Sequence, residues 1–121
     1  MSRPRVLLAD DNAFLHRLLT RLLAPTCEVI GALTDTTGLL EAIKELRPDV
    51  VVVDLNMPKI SGFEACRLIR AATPSVKVII LTADEEPGFS ERAFAAGAAG
   101  FVSKMRAGEE LAAAVHDAAG E

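Results

Sequence analysis

The chain has no tryptophan and no tyrosine, and its only aromatic side chains are five phenylalanines among 121 residues. Half the residues are hydrophobic all the same, so Ala, Val, Leu and Ile must build the core. A basic run is also missing: 13 Lys and Arg face 17 Asp and Glu, a formal charge of −4. Without a cationic stripe interleaved with aromatics, direct nucleic-acid binding by this chain is not expected. Only Cys27 and Cys66 are present, far apart and without metal-ligand spacing, and they read as buried free thiols of a reducing cytosol. No apolar stretch reaches the length of a membrane span; Val50 to Leu55 is short and carries Asp54. Nor is there a signal-peptide core, because Val6 to Ala9 runs straight into Asp10 and Asp11. A cytoplasmic location without membrane attachment is expected. Gly-x-Gly-x-x-Gly and Gly-Lys-Ser/Thr are both absent, which removes the dinucleotide enzymes and P-loop ATPases.

What is present is a rhythm. Short apolar runs at Val6–Ala9, Val29–Leu33, Val50–Leu55, Val76–Thr82 and Phe101–Ser103 alternate with amphipathic stretches, the pattern of a doubly wound α/β sheet. The middle runs are continuously apolar, as expected for parallel strands covered on both faces. Between them, Phe14, Leu15, Leu18, Leu19, Leu22 and Leu23 form a helical stripe stopped by Pro25. Leu39, Leu40, Ile43 and Leu46 form a second, halted before Pro48. A third opens on the capping box Ser61-Gly62-Phe63-Glu64 and runs towards Pro74. The fourth helix is expected to hold Pro87 in its first turn and Gly97 just past its end, and the fifth to run from about Gly108 to Ala119. Length and the lack of any linker predict one domain over residues 1–121.

The polar residues fall where the apolar runs stop. Asp10 and Asp11 follow the first, Asp54 closes the third, Thr82 closes the fourth and Lys104 follows the fifth. In an open parallel sheet all C-terminal strand ends share one edge, where ligands bind, so these five residues are expected to converge there. Singly, each has a plain reading: Asp10, Asp11 or Asn12 as a helix cap, Thr82 as a strand end, Lys104 as a surface charge. Jointly they describe a site. Three carboxylates so close cannot all ionise without raising one pKa unless a cation is present, and Mg²⁺ suits a few oxygen ligands. Mg²⁺, an ammonium and a hydroxyl are complementary to a phosphoryl group, whose transfer depends on positioning and charge stabilisation. Asp54, at the tip of the central strand, is the expected nucleophile, forming an acyl phosphate.

With these segments in view, the chain resembles the bacterial two-component response-regulator receiver domains over essentially its whole length. The resemblance rests on Val6-Leu7-Leu8-Ala9-Asp10-Asp11-Asn12, Asp54-Leu55-Asn56-Met57-Pro58 with Gly62 beyond, Leu81-Thr82-Ala83, and Gly100-Phe101-Val102-Ser103-Lys104. The Asp-Leu-Asn-Met-Pro string is similar to that of receivers in DNA-binding regulators. The resemblance implies a flavodoxin-like fold, five parallel strands in the order 2-1-3-4-5 with five helices. It implies that Asp54 accepts a phosphoryl group from a phosphohistidine on a sensor histidine kinase or phosphotransfer protein. It further implies that Asp10, Asp11, Asp54 and the Asn56 backbone carbonyl organise Mg²⁺, that Lys104 and Thr82 bind phosphoryl oxygens, and that Phe101 is the switch aromatic. The output surface would then be the fourth helix, fifth strand and fifth helix, around Phe94, Phe101 and Leu111, with a homodimer on phosphorylation as one outcome. Phe94 and Leu111 themselves read as core packing.

The chain departs from that pattern at Met105, where many receivers have a proline after the lysine. A cis peptide before Met costs about 2.5–4 kcal/mol, so a trans bond is expected. Asn56 and Asp84 lie two residues past Asp54 and Thr82 and are expected to admit an attacking water and shorten the phosphoryl lifetime. Phosphatases with an aspartyl phosphate carry a second Asp where this chain has Asn56, so the reading is a signalling domain rather than an enzyme. His16 and His116 fall on predicted helices without an evident partner and read as solvated. The unit reads either as a stand-alone regulator or as the receiver piece of a longer transcription factor.

Overall fold

A computed structural model describes residues 3–120; Met1, Ser2 and Glu121, at the ends of the expected 1–121 unit, lie outside the described residues. Five strands, β1 (Arg5–Ala9), β2 (Glu28–Leu33), β3 (Val50–Asp54), β4 (Lys77–Thr82) and β5 (Gly100–Ser103), alternate with helices. These are α1 (Ala13–Leu23), α2 (Leu39–Leu46), α3 (Gly62–Ala72), α4 (Phe89–Ala95) and α5 (Ala107–Ala118). All strand pairs are parallel, in the order β2-β1-β3-β4-β5, so the expected flavodoxin-like architecture is the observed one.

The period of two along a strand divides the core into two layers. Val51 and Val53 pack with Leu39, Ile43, Phe63, Cys66 and Ile69 beneath α2, α3 and α4. Val50 and Val52 face the opposite way, onto Leu19 and Leu23 of α1 and Leu111 and Val115 of α5. Both faces of β3 are therefore sealed, which is why its sequence is an unbroken valine run. The apolar pattern stops only at Asp54, where the strand emerges at the sheet edge.

The helix ends explain the loops. Asn12, not Asp10 or Asp11, caps α1: its side-chain oxygen accepts the Phe14 and Leu15 N–H groups at 3.0 and 3.2 Å, leaving both aspartates for other work. Ser61 caps α3 by accepting the Glu64 N–H at 3.2 Å, while the Glu64 carboxylate turns to Arg67 instead of closing the box. Pro87 does not enter α4, which begins at Phe89 after Gly88 in the left-handed conformation (φ 87°). Gly97 does follow the end of that helix, at φ 101°. The fifth helix starts at Ala107, because Lys104–Arg106 form a short 3₁₀ turn capped by Ser103, whose hydroxyl accepts the N–H of the turn's second residue, Met105, at 3.2 Å. No cis peptide occurs among the described residues, so the Lys104–Met105 bond is trans as expected. Both cysteines are buried and free; burial pushes the Cys66 thiol up to about 11, and it donates to the Ala96 carbonyl oxygen.

Gly62 marks the closest approach of α3 to the sheet edge. Its N–H donates to the Leu55 carbonyl oxygen at 2.7 Å, and a Cβ there would lie 2.8 Å from Leu55 Cα and 2.9 Å from the Asp54 carbonyl oxygen. Backbone cannot step aside as a flexible side chain can. Gly62→Ala is therefore expected to destabilise the fold by about 1–3 kcal/mol, despite the gain of about 1 kcal/mol in helix propensity. Thermal denaturation followed by circular dichroism reads this directly, and a midpoint equal to the wild type would contradict it.

Candidate functional site

At the C-terminal edge of the sheet three elements deliver the site. Asp10 leaves β1, Asp54 ends β3, and Lys104 opens the turn after β5. Asp10 is only 2% exposed and Asp54 3%. The Lys104 ammonium, on a side chain 24% exposed, lies 3.1 Å from Asp10 Oδ2 and 3.2 Å from Asp54 Oδ1. One cation thus serves two sealed carboxylates, and Asp11 stands exposed at their rim. One carboxylate oxygen from each of Asp10, Asp11 and Asp54 falls within 4.8 Å of the others.

The electrostatics follow from that count. Burial first, and the Asp10 charge second, raise the Asp54 carboxyl above its ordinary value of 3.8; Lys104 and the Asn56 N–H pull against this without cancelling it. Burial alone would lower the Lys104 ammonium, but the Asp10 and Asp54 carboxylates that it bridges outweigh this and hold the lysine above its ordinary value. Asp10 Oδ1 accepts the Asn12 N–H at 2.8 Å. Asp10 Oδ2 is sealed from solvent and accepts no directed hydrogen bond, with the Lys104 charge as its compensation. An incompletely satisfied oxygen among hard carboxylate donors fits a small divalent cation such as Mg²⁺, which accepts few protein oxygens and keeps its waters.

Thr82 is buried at the end of β4, but its hydroxyl is turned into its own loop, donating to the Asp84 carbonyl oxygen at 2.7 Å and accepting the Asp84 N–H at 3.1 Å. Asn56 and Asp84 are exposed on the two loops flanking Asp54. Phe101 is half-buried, against the α2–α4 layer and beside Glu85, Glu86, Pro87 and Ser90. Leu111 is core, as its apolar character suggested. Phe94 is not: it is 54% exposed, because α4 is only seven residues long and turns Ala93 rather than Phe94 to the sheet.

Two side chains near the site escaped the sequence. Arg106, two residues past Lys104, pairs with Glu85 of the β4–α4 loop and lies 3.4 Å from Glu110, tying the lysine's turn to the threonine's loop. His16 is not a solvated histidine: its Nε2 lies 2.6 Å from the Asp10 carbonyl oxygen. His116 likewise has a neighbour, with Nε2 3.8 Å from Cys27 Sγ. Neither histidine shares a motif with its partner, so spacing carried no signal beyond the fact that a helix side chain leans over the turn before it.

Comparison with known proteins agrees with the geometry. The family model for the response regulator receiver domain matches residues 6–116. The response regulator GacA of Pseudomonas aeruginosa is 37% identical over 113 residues, 92% of this chain and 53% of its own length. The chain thus spans about half the length of that relative. Chemotaxis protein CheY of Thermotoga maritima is 35% identical over 101 residues, 83% of this chain and 84% of that protein. A solved two-component response regulator of the LuxR family, from Aurantimonas sp. SI85-9A1, aligns with a TM-score of 0.91 at 31% identity, covering 98% of this chain and 86% of that one. With the match running through all five strands and the whole acidic edge, the chain belongs to the response regulator receiver domain family.

Proposed function

We propose that residues 1–121 act as one receiver unit, a cytoplasmic, phosphorylation-dependent signalling switch whose phosphoacceptor is Asp54. The observation that carries this reading is the Lys104 ammonium held 3.1 and 3.2 Å from the nearly sealed carboxylates of Asp10 and Asp54. A phosphohistidine on a sensor histidine kinase or phosphotransfer protein is the donor. An Asp54 carboxylate oxygen attacks phosphorus, the P–N bond breaks, and the histidine leaves with the electron pair, giving an acyl phosphate. The exposed Phe14 and Leu18 on α1, the helix that follows Asp10 and Asp11, offer a donor protein an apolar surface.

Asp10, Asp11, Asp54 and the Asn56 carbonyl would hold Mg²⁺, which when bound supplies positive charge against the phosphoryl oxygens. Lys104 adds a second positive charge to those oxygens, and Thr82 adds a hydroxyl donor. To do so Thr82 must release Asp84, and Phe101, packed beside that loop, is free to follow it. The α4, β5 and α5 face then changes shape by as much as the phosphate's contacts differ between the two arrangements. An output domain, or a second copy on that face, reads the change; the chain itself does not bind nucleic acid. Water admitted past Asn56 and Asp84 hydrolyses the acyl phosphate and resets the switch, so turnover is limited to the domain's own modification.

Intact-mass measurement after incubation with a small phosphodonor and Mg²⁺ is expected to show one phosphoryl addition in the wild type and none in Asp54→Ala. An addition that survives in Asp54→Ala would remove the assignment. Replacing Asn56 and Asp84 together by apolar residues is expected to slow loss of the phosphoryl group several-fold, followed as the decay of the phosphorylated mass.

The raised Asp54 carboxyl makes a stability prediction. Asp54 keeps its proton to higher pH when folded than when unfolded, so the metal-free wild type loses stability as pH rises from 3.8 through that raised value. Asp54→Asn lacks that loss, and near neutral pH in chelator it is expected to melt a few degrees above the wild type, with the gap narrowing on addition of Mg²⁺. Melting curves with and without Mg²⁺ at several pH values check both the sign and its dependence on the cation.

A further inference from the structure

We infer that His16 is a positioning residue for the acidic pair: its ring holds the Asp10–Asp11 segment in the geometry that receives the cation, an inference that rests on the phosphoacceptor reading above. Nε2 lies 2.6 Å from the Asp10 carbonyl oxygen. A carbonyl oxygen can only accept, so Nε2 carries the hydrogen and donates it. The contact is a consequence of helix geometry. Side chains in α1 lean towards its N-terminus, so position 16 covers the chain just before Asn12. The turn that carries His16 is itself secured, because Thr20 Oγ1 donates to the His16 carbonyl oxygen at 2.7 Å and Leu19 is buried.

Asp10 needs such a hold because it is where the chain leaves the sheet. β1 ends at Ala9, and Asp11 is already in a bend. The Asp10 N–H still reaches β2, donating to the Leu33 carbonyl oxygen at 2.9 Å, and Oδ1 accepts the Asn12 N–H. The remaining polar group of its backbone, the carbonyl, belongs to the peptide that leads into Asp11. Fixing that carbonyl fixes the direction from which the Asp11 side chain starts. His16 is the side chain that does this, linking the Asp10–Asp11 peptide to the rigid second turn of α1 and limiting the freedom that cation binding would otherwise have to remove.

The test compares His16→Met, which keeps the reach and helix propensity but loses the N–H donor, with His16→Gln, which keeps a donor. Mg²⁺ is titrated into the chelator-treated full chain and the Asp10, Asp11 and Asp54 amide shifts are followed by ¹⁵N NMR, with thermal melting alongside. The loss of one hydrogen bond is expected to raise the Mg²⁺ dissociation constant about fivefold in His16→Met, with most of the affinity kept in His16→Gln. Equal Mg²⁺ affinity in the wild type and both variants, whatever their melting points, would overturn the positioning role, as would equal weakening in both variants. A wild type whose three aspartate amides ignore Mg²⁺ would instead remove the phosphoacceptor reading on which the inference stands.

Discussion

Two carboxylates in a nearly dry sheet edge, facing a single ammonium, set the character of the molecule. An isolated buried charge is costly, and the Lys104 bridge to Asp10 and Asp54 compensates only part of that cost. The remainder is visible as an Asp54 carboxyl held above its ordinary value and an Asp10 oxygen without a directed hydrogen bond. A site left short of positive charge is one whose electrostatics improve when a cation enters.

The sheet makes this arrangement available. In the order β2-β1-β3-β4-β5, Asp10 and Asp54 end neighbouring strands, but Lys104 follows β5, two strands away from β3. The lysine stem has the length to cross over the end of β4, where Thr82 sits. A shorter cationic side chain could not bridge that span, so the residue type and the strand order depend on each other. Gly62, pressed against the Asp54 and Leu55 backbone, closes the opposite side by bringing α3 up to the same edge.

The proposed switch would draw on the parts held less firmly. Thr82 spends its hydroxyl on Asp84, a bond it can exchange for another acceptor. The β4–α4 loop is tied to the lysine's turn by the exposed Arg106–Glu85 pair, a contact of the modest kind typical of solvated ion pairs. Beyond it, α4 is bracketed by Gly88 and Gly97 in left-handed conformations. It is held to α3 through Arg92, whose guanidinium lies 4.4 Å from the Phe63 ring centre and 5.8 Å from that of Phe89. Such cation–π contacts are worth roughly 0.5–2 kcal/mol. Under the proposed function, small terms like these are the ones a phosphoryl charge at Asp54 would rebalance, and the valine core beneath is not.

The order and type of the elements were legible from the chain because periodicity is local: valine runs become covered strands, leucine stripes become helices, and Asn, Ser and Gly mark their ends. Convergence of Asp10, Asp54, Thr82 and Lys104 on one edge was legible too, since parallel strands leave no other place for residues that follow them. The misses share a cause. Pro87 stayed outside α4 because Gly88 sets where that helix begins, and Phe94 turned outward because a two-turn helix buries little beyond Ala93. His16 found Asp10, Arg106 found Glu85, and the Thr82 hydroxyl chose its own loop over the acidic site. The sequence by itself determined the layered fold and which residues share its polar edge, because hydrophobic period and strand direction are properties of neighbours along the chain. Which partner each polar group takes at that edge was decided only in three dimensions, because a hydrogen bond is set by ångström-scale distance and direction, and neither is written in the spacing of residues.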